Sequence, residues 1–245
     1  MKILVVMTAK ATLHLLDGEQ HPSGFWAEEF VVPYTLFTAA GHTVDVATIG
    51  ARPHGRPDQH RPPVPPMGPP RGLAGRGRGE RRRVRESRRE HPQLKNPLAL
   101  ESLGEKDIAE YDGIYVSGGH GAIGDLPHSD ELAQILRWAL AQDKPLATVC
   151  HGHTSLLALR DGEGRWPFEG YRMTAFSHSE EMVTNMAGRL PLILEAELTR
   201  LGARYEKAEK IWDSHVVVDR RLTTGQNPYS SKALAETFLQ QLAKG

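Results

Sequence analysis

Apolar residues recur along this chain with two periods, one suited to strands and one to helices. Lys2 to Ala9 carries a continuous Ile-Leu-Val-Val-Met run, the pattern of a strand buried on both faces. Residues 27–40 place Phe30, Tyr34 and Phe37 at helical spacing, and Gly41 ends that helix. Thr43 to Thr48 reads as a second strand, and Gly113 to Val116 as a third that runs into Gly118-Gly119. Ser129 caps a predicted helix whose Leu132, Ile135, Leu136, Ala139 and Leu140 form one stripe. Pro145 to Val149 is a fourth strand leading straight into Cys150-His151-Gly152, with a further apolar stretch, Thr154 to Leu159, behind it. Pro191 suits a first helical turn, with Leu194, Leu198 and Leu201 facing inward and Gly202 ending it. Val216 to Val218 and Leu222 to Thr224 read as late strands; Leu234, Phe238 and Leu242 stripe a final helix. Alternating strands and helices predict an α/β fold with a mainly parallel sheet covered on both faces. Ligands of such sheets bind beyond the carboxyl ends of the strands, so strand-end residues carry the candidate chemistry.

The pattern fails between residues 52 and 91. Those forty residues hold twelve Arg, no Lys and four acids, a net +8 that leaves −8 on the rest of a formally neutral chain. They also hold eight Pro, six Gly, no aromatic and only five apolar residues. Such a segment cannot offset its ordering entropy by burial, and it reads as a loop on a single domain spanning residues 1–245. The overall charge balance argues against a membrane-surface or nucleic-acid partner. The nine Arg of residues 71–90 lack the interleaved aromatics of a single-strand binder. The single cysteine, Cys150, excludes an intrachain disulfide and fits a reducing cytosol. No stretch approaches the ~18 apolar residues of a membrane span, and Ile3 to Met7 is too short for a signal peptide. A soluble, cytoplasmic protein is expected.

Cys150 stands where an apolar strand meets a helix, with Gly152 two residues on. That grammar matches a nucleophile elbow, in which a sharp turn at positive φ projects the nucleophile above the sheet. A helix amino terminus beneath it lowers the thiol pKa and offers N–H donors to an oxyanion. The bland reading of a lone Cys is a small buried hydrophobe. His151 serves either as acid or base, or merely occupies the turn; spacing alone does not decide. Gly118-Gly119-His120-Gly121 ends another strand, where glycines let backbone N–H groups approach a ligand or simply form a turn. Glu28-Glu29 opens the first helix, and carboxylates there ordinarily only complement the dipole.

Together these pieces resemble the ThiJ/PfpI superfamily, which has the class I glutamine amidotransferase-like fold. The resemblance rests on Gly24-Phe25-Trp26-Ala27-Glu28-Glu29-Phe30-Val31-Val32-Pro33, on Gly118-Gly119-His120-Gly121 and on Val149-Cys150-His151-Gly152. Thr174 to Glu181 and Leu222 to Pro228 are similar to its branch of heat-shock chaperones and glyoxalase III enzymes. The resemblance covers residues 1–50 and roughly 94–245, and implies a flavodoxin-like three-layer sandwich. It implies Cys150 as nucleophile with His151 as its neighbouring histidine. The family's buried glutamate lies four residues before a proline, which selects Glu29 through Pro33. Its third triad acid lies five residues after the Thr-x-Phe phenylalanine, which selects Glu181 through Phe176, with Glu180 as the fallback. Backbone N–H groups of Gly119 and His151 would form the oxyanion hole, and His120, His153 and Trp26 would line the substrate pocket. No cofactor and no metal is implied, and relatives are commonly homodimers. A Cys150/His151/His153 metal site is disfavoured because adjacent residues rarely point together at one ion. His153 stands where this branch usually has Pro, and His178 where Asn or Asp is common.

The implied activity is a glutathione-independent glyoxalase acting on methylglyoxal or a similar 2-oxoaldehyde, with repair of glycated amines as a related activity. A cysteine amidase or peptidase is the second enzyme reading. Glutaminase chemistry is disfavoured because Val216 and Val217 follow His215, leaving no His-x-Glu pair. A reading from another class is a stress chaperone that binds unfolded chains through apolar surface without needing Cys150. Residues 52 to about 91 carry a separate expectation. Arg, Pro, Gly and Ala can all be encoded by G and C alone, so this segment is either a real basic loop or the product of a shifted reading frame. Resequencing the gene and weighing the intact protein decides. A gene without compensating shifts and a mass of 27.1 kDa leave the basic loop; a corrected frame with a different mass replaces it.

Overall fold

The computed structural model describes residues 1–51, 92–184 and 186–244, so the segment 52–91 and both readings of it lie outside the described residues. In chain order the strands are β1 (Lys2–Val6), β2 (Thr12–His14), β3 (Gln20–Pro22), β4 (Thr43–Thr48), β5 (Leu98–Ala99), β6 (Gly113–Val116), β7 (Leu146–Val149), β8 (Arg172–Met173), β9 (Arg204–Tyr205), β10 (Val216–Asp219) and β11 (Leu222–Gly225). The helices are α1 (Ala27–Ala39), α2 (Glu105–Ile108), α3 (Asp130–Ala141), α4 (His178–Met182), α5 (Leu194–Arg200) and α6 (Ser231–Leu242). Seven strands form the main sheet in the order β10-β11-β7-β6-β1-β4-β5, parallel throughout except for the β10–β11 hairpin. The two expected layers of helix cover it, which makes the fold a flavodoxin-like three-layer sandwich.

Side-chain alternation on the strands explains both layers. Leu4, Val6, Ile114, Val116 and Leu146 face a core shared with α3, α5 and the segment after β7. Ile3, Val5, Tyr115, Ala147 and Val149 face the other core, shared with α1 and α6. There Phe37, Tyr115 and Phe238 meet with ring centroids 5.5–6.3 Å apart. Ser129 caps α3 by accepting the Leu132 N–H at 3.1 Å, and Leu234, Phe238 and Leu242 of α6 are buried as their spacing predicts.

Two expectations change. Pro191 precedes its helix: α5 begins at Leu194 after Ile193, although Leu194, Leu198 and Leu201 do face inward. The helix expected behind β7 is a 3₁₀ segment over Cys150–Leu159. The carbonyls of its first turn are taken by side chains three residues ahead. His153 Nδ1, Thr154 Oγ1 and Ser155 Oγ donate to the carbonyls of Cys150, His151 and Gly152 at 2.7–2.8 Å.

The central strands converge on one point beyond their carboxyl ends, between β6 and β7. Gly118 permits this convergence. A Cβ there would lie 2.6 Å from the Val149 carbonyl, 2.7 Å from Gly152 N and 2.8 Å from Glu29 Oε2. Gly118→Ala should therefore cost about 1–3 kcal/mol through overpacking against backbone. Gly162→Ala, where a Cβ meets nothing within 4 Å, is the control. Thermal melts of the two variants check this; equal melting temperatures would show that the three segments can separate cheaply.

Candidate active site

β7 ends at Val149 in extended conformation, and Cys150 turns the chain at φ +54°. A left-handed non-glycine residue costs of order 1–3 kcal/mol and persists only where its surroundings hold it. Here the His153 imidazole holds the Cys150 carbonyl, and the sheet holds Val149. The thiol is buried in the core beside α1, with the residue 4% exposed. That burial pushes the thiol well above its ordinary value, a charged Glu29 would add to the rise, and the His151 N–H opposes it. The lowered thiol expected from a helix start is thus outweighed by desolvation.

Glu29 is delivered by two constraints. Pro33 has no N–H to give the carbonyl four residues earlier, and that carbonyl, Glu29 O, instead accepts the Tyr115 hydroxyl at 3.0 Å. Trp26 N–H donates to Gly118 O at 3.0 Å and Gly121 N–H to Gly24 O at 3.1 Å, tying the start of α1 to the end of β6. The Glu29 side chain is fully buried, and its Oε2 accepts the Gly118 N–H at 2.9 Å. Among the described residues its Oε1 finds no nitrogen or oxygen partner; the neighbour it interacts with is the Cys150 thiol. Burial pushes Glu29 up to about 8, against the smaller opposing effects of the thiol and the Gly118 N–H. At neutral pH the carboxyl is a neutral acid, which removes its repulsion of a thiolate and turns its O–H into a donor.

His151 stands on the other side. Its Nδ1 lies 3.4 Å from Cys150 Sγ, and its Nε2 donates to Glu181 Oε2 at 2.8 Å. His120 Nε2 donates to the other oxygen, Oε1, at 2.7 Å, so one carboxylate bridges two imidazoles whose centroids are 4.2 Å apart. Burial alone would raise Glu181, but the charges and hydrogen bonds of His120 and His151 together hold it well below the carboxylate range. Glu180 faces away and does other work. Its Oε2 caps α4 through Ser177, while its Oε1 accepts the Trp212 N–H at 3.0 Å and the Asn227 side chain at 2.7 Å.

The remaining expected residues fall differently. Gly119, at φ +110°, packs against the Gly24–Trp26 backbone beside the site. Trp26 is half-buried, and its indole N–H finds no acceptor among the described residues. His153, expected to line the pocket, is instead fully buried with Nδ1 spent on the elbow carbonyl, and desolvation pushes it down to about 3. His178 is exposed. The Cys150/His151/His153 metal constellation does not assemble. Among the described residues, the cluster with ligand-type geometry is His120, His151 and Glu181, with atoms within 4.8 Å of one another. Two N–H···O bonds join that cluster. Phe176 was expected only as a landmark for register. Its ring stacks on His151 at 4.6 Å, a contact no spacing rule could reveal.

These partners separate the two neighbouring acids experimentally. Glu181→Gln should cut alkylation of Cys150 by iodoacetamide at neutral pH by about 10²-fold, the scale of a lost acid–base partner. Glu180→Gln should instead cost about 1–3 kcal/mol of stability through its unsatisfied donors, with much smaller change in alkylation. The reverse pattern would place the triad acid at Glu180.

The DJ-1/PfpI family profile matches residues 22–241. The protein/nucleic acid deglycase HchA of Pseudomonas aeruginosa (strain UCBPP-PA14) is 29% identical over an alignment 258 positions long, covering 99% of this chain and 82% of its own. Protein/nucleic acid deglycase 1 of Escherichia coli K12 is 28% identical over an alignment 257 positions long, covering 98% of this chain and 81% of its own. The glyoxalase III structure from Candida albicans superposes with a TM-score of 0.77 at 24% identity, over 98% of this chain and 96% of that one. A Francisella tularensis structure, Rapid Encystment Protein 24 kDa, gives 0.81 at 24% identity over 98% of both chains. At these identities the two structures speak for the fold. With 220 of its 245 residues inside the family match and the elbow, glycine turn and buried glutamate in their places, the chain belongs to the DJ-1/PfpI family.

Proposed function

We propose that this protein is a cofactor-independent, glutathione-independent glyoxalase and deglycase, converting methylglyoxal or a similar 2-oxoaldehyde to a 2-hydroxy acid. One observation carries the reading: a buried thiol lies between a neutral carboxyl, Glu29, and an imidazole oriented by Glu181. The names of the deglycase relatives and of the glyoxalase III structure support the same class of chemistry.

His151 takes the Cys150 thiol proton as the sulfur adds to the aldehyde carbon, and Glu29 gives its proton to the new alkoxide, forming a hemithioacetal. The N–H groups of Gly119 and His151 stabilise that oxygen while it is charged. Glu29, now a carboxylate, takes the hydrogen from the same carbon as the ketone oxygen gains a proton from the His151 imidazolium, giving an enediol. Glu29 returns its proton to the neighbouring carbon, and His151 removes the hydroxyl proton to leave a thioester. Glu29 then deprotonates the water that cleaves the thioester, and the leaving thiolate takes a proton back from the His151 imidazolium, which restores thiol, imidazole and neutral Glu29. The sum is aldehyde plus water to hydroxy acid. Glycated amines, as hemiaminals of the same aldehydes, present the same carbon to the thiol.

Pure protein with methylglyoxal and no glutathione should form lactate. Cys150→Ser should lose nearly all of it, and Glu29→Gln should bind a substrate analogue without turnover. Because Glu29 must start protonated and burial holds it near 8, turnover should be retained below that value and fall as pH rises through it. A reduced wild-type preparation that makes no lactate but hydrolyses peptides or amides through Cys150 would replace this reading with the amidase one. Suppression of aggregation that survives in Cys150→Ala, without any turnover in the wild type, would replace it with the chaperone.

A further inference from the structure

Trp212 occupies a conformation that its side chain does not favour. The turn Lys210–Asp213 is closed by Asp213 N–H to the Lys210 carbonyl at 3.3 Å, and Trp212 takes its third position at φ +69°. Turns of that kind ordinarily place Gly or Asn there, because a Cβ crowds the left-handed conformation. Among the described residues four other non-glycines have positive φ. Asp143 and Arg220 lie in tight connections beside strands, Ala51 borders the segment 52–91, and Cys150 is the elbow itself. A bulky aromatic held in this conformation asks what holds it.

Two sets of contacts do. The Trp212 N–H donates to Glu180 Oε1 at 3.0 Å, and Asn227 Nδ2 bridges that same oxygen, at 2.7 Å, to the Asp213 carbonyl, at 2.8 Å. Glu180 Oε2 is simultaneously fixed by Ser177 N and Oγ at 3.0 and 2.8 Å. One fully buried carboxylate thus fastens the β9–β10 connection to α4, whose next residue is Glu181. The Trp212 ring packs on the core cluster that includes Cys150 and meets Phe176 edge-on at 5.7 Å. Phe176 in turn stacks at 4.6 Å and 36° on the His151 imidazole and stands 6.1 Å from His120.

We propose that Trp212 is a positioning residue that, fastened by Glu180, presses Phe176 against His151 and so fixes the imidazole between Cys150 Sγ and Glu181. Cys150, Glu181 and His120 reach His151 from the elbow, α4 and the glycine turn. Phe176 sits on the connection ahead of α4, and Trp212 is what backs its ring. An imidazole held against a backed aromatic ring keeps Nδ1 on the sulfur and Nε2 on the carboxylate together, and an aromatic face favours its cationic form. Trp212 touches no reacting atom in this scheme; it acts through Phe176.

The kinetic part of the test rests on the glyoxalase reading, so the primary readout is independent of it. Trp212→Gly and Trp212→Asn remove the ring while suiting the left-handed backbone, so the fold should tolerate at least one of them. In either variant, alkylation of Cys150 by iodoacetamide at pH 7 should slow by about threefold to tenfold, the scale seen for coupling through packed neighbours. Trp212→Phe should recover most of that loss, and melting temperatures should not track the order of reactivity. With methylglyoxal as substrate, kcat should fall in the same order while KM changes little. A folded Gly or Asn variant that alkylates at the wild-type rate overturns the proposal, as does failure of Trp212→Phe to recover any reactivity. If alkylation responds as expected but no variant, wild type included, makes lactate, the positioning role stands and the proposed reaction falls.

Discussion

Burial of ionisable groups without a water shell governs this molecule. Glu29, Cys150, His151, Glu181 and His120 lie together in the interior, where an uncompensated charge is expensive. The arrangement divides into two halves of different character. Glu181 is ionised because two imidazoles donate to it, one to each oxygen. Glu29 is neutral at pH 7 because burial raises it further than its single backbone donor, Gly118, and the thiol lower it. Two buried carboxyls of one site are thereby held in opposite protonation states by their neighbours.

That electrostatic arrangement needs three chain segments closer together than side chains normally allow. Gly118 gives the end of β6 room to touch both the elbow and Glu29, and Gly119 at φ +110° lets the following turn lie on the Gly24–Trp26 backbone. Pro33 supplies the complementary economy, since the carbonyl it leaves unbonded is the one that takes the Tyr115 hydroxyl. The parallel sheet places β6 beside β7, so their carboxyl ends deliver the glycine turn and Cys150 to one spot. Fold and site are therefore linked through backbone contacts, and a single added Cβ at Gly118 acts on both.

Strong periodicity makes the scaffold legible in the sequence. β1, β4, β6 and β7 and the stripes of α3 and α6 follow from residue pattern, because each is decided by which side chains are apolar, and the elbow follows from Cys150 and Gly152 at the end of β7. The short pairs β2–β3 and β8–β9 escaped, having three and two residues per strand and little alternation to read. The 3₁₀ character behind Cys150 escaped too, since it depends on His153, Thr154 and Ser155 turning back onto carbonyls rather than on hydrophobic spacing. His153 misled for the same reason: an imidazole next to a catalytic motif looks like pocket chemistry, yet its role here is to hold the elbow. The separation of Glu181 from Glu180 came from the family register and not from composition. Trp212 was invisible because its importance lies in a positive φ and in contacts across more than thirty residues of sequence.

The central claim is that Glu29 rests as a neutral acid beside the Cys150 thiol. Infrared difference spectroscopy between wild type and Glu29→Gln measures this directly, through the carbonyl stretch of a protonated buried carboxyl. The account predicts a band in the wild type at pH 7 that is absent from Glu29→Gln and that disappears as the pH is raised through about 8. A wild-type spectrum at pH 7 with only the carboxylate bands for Glu29 would contradict it.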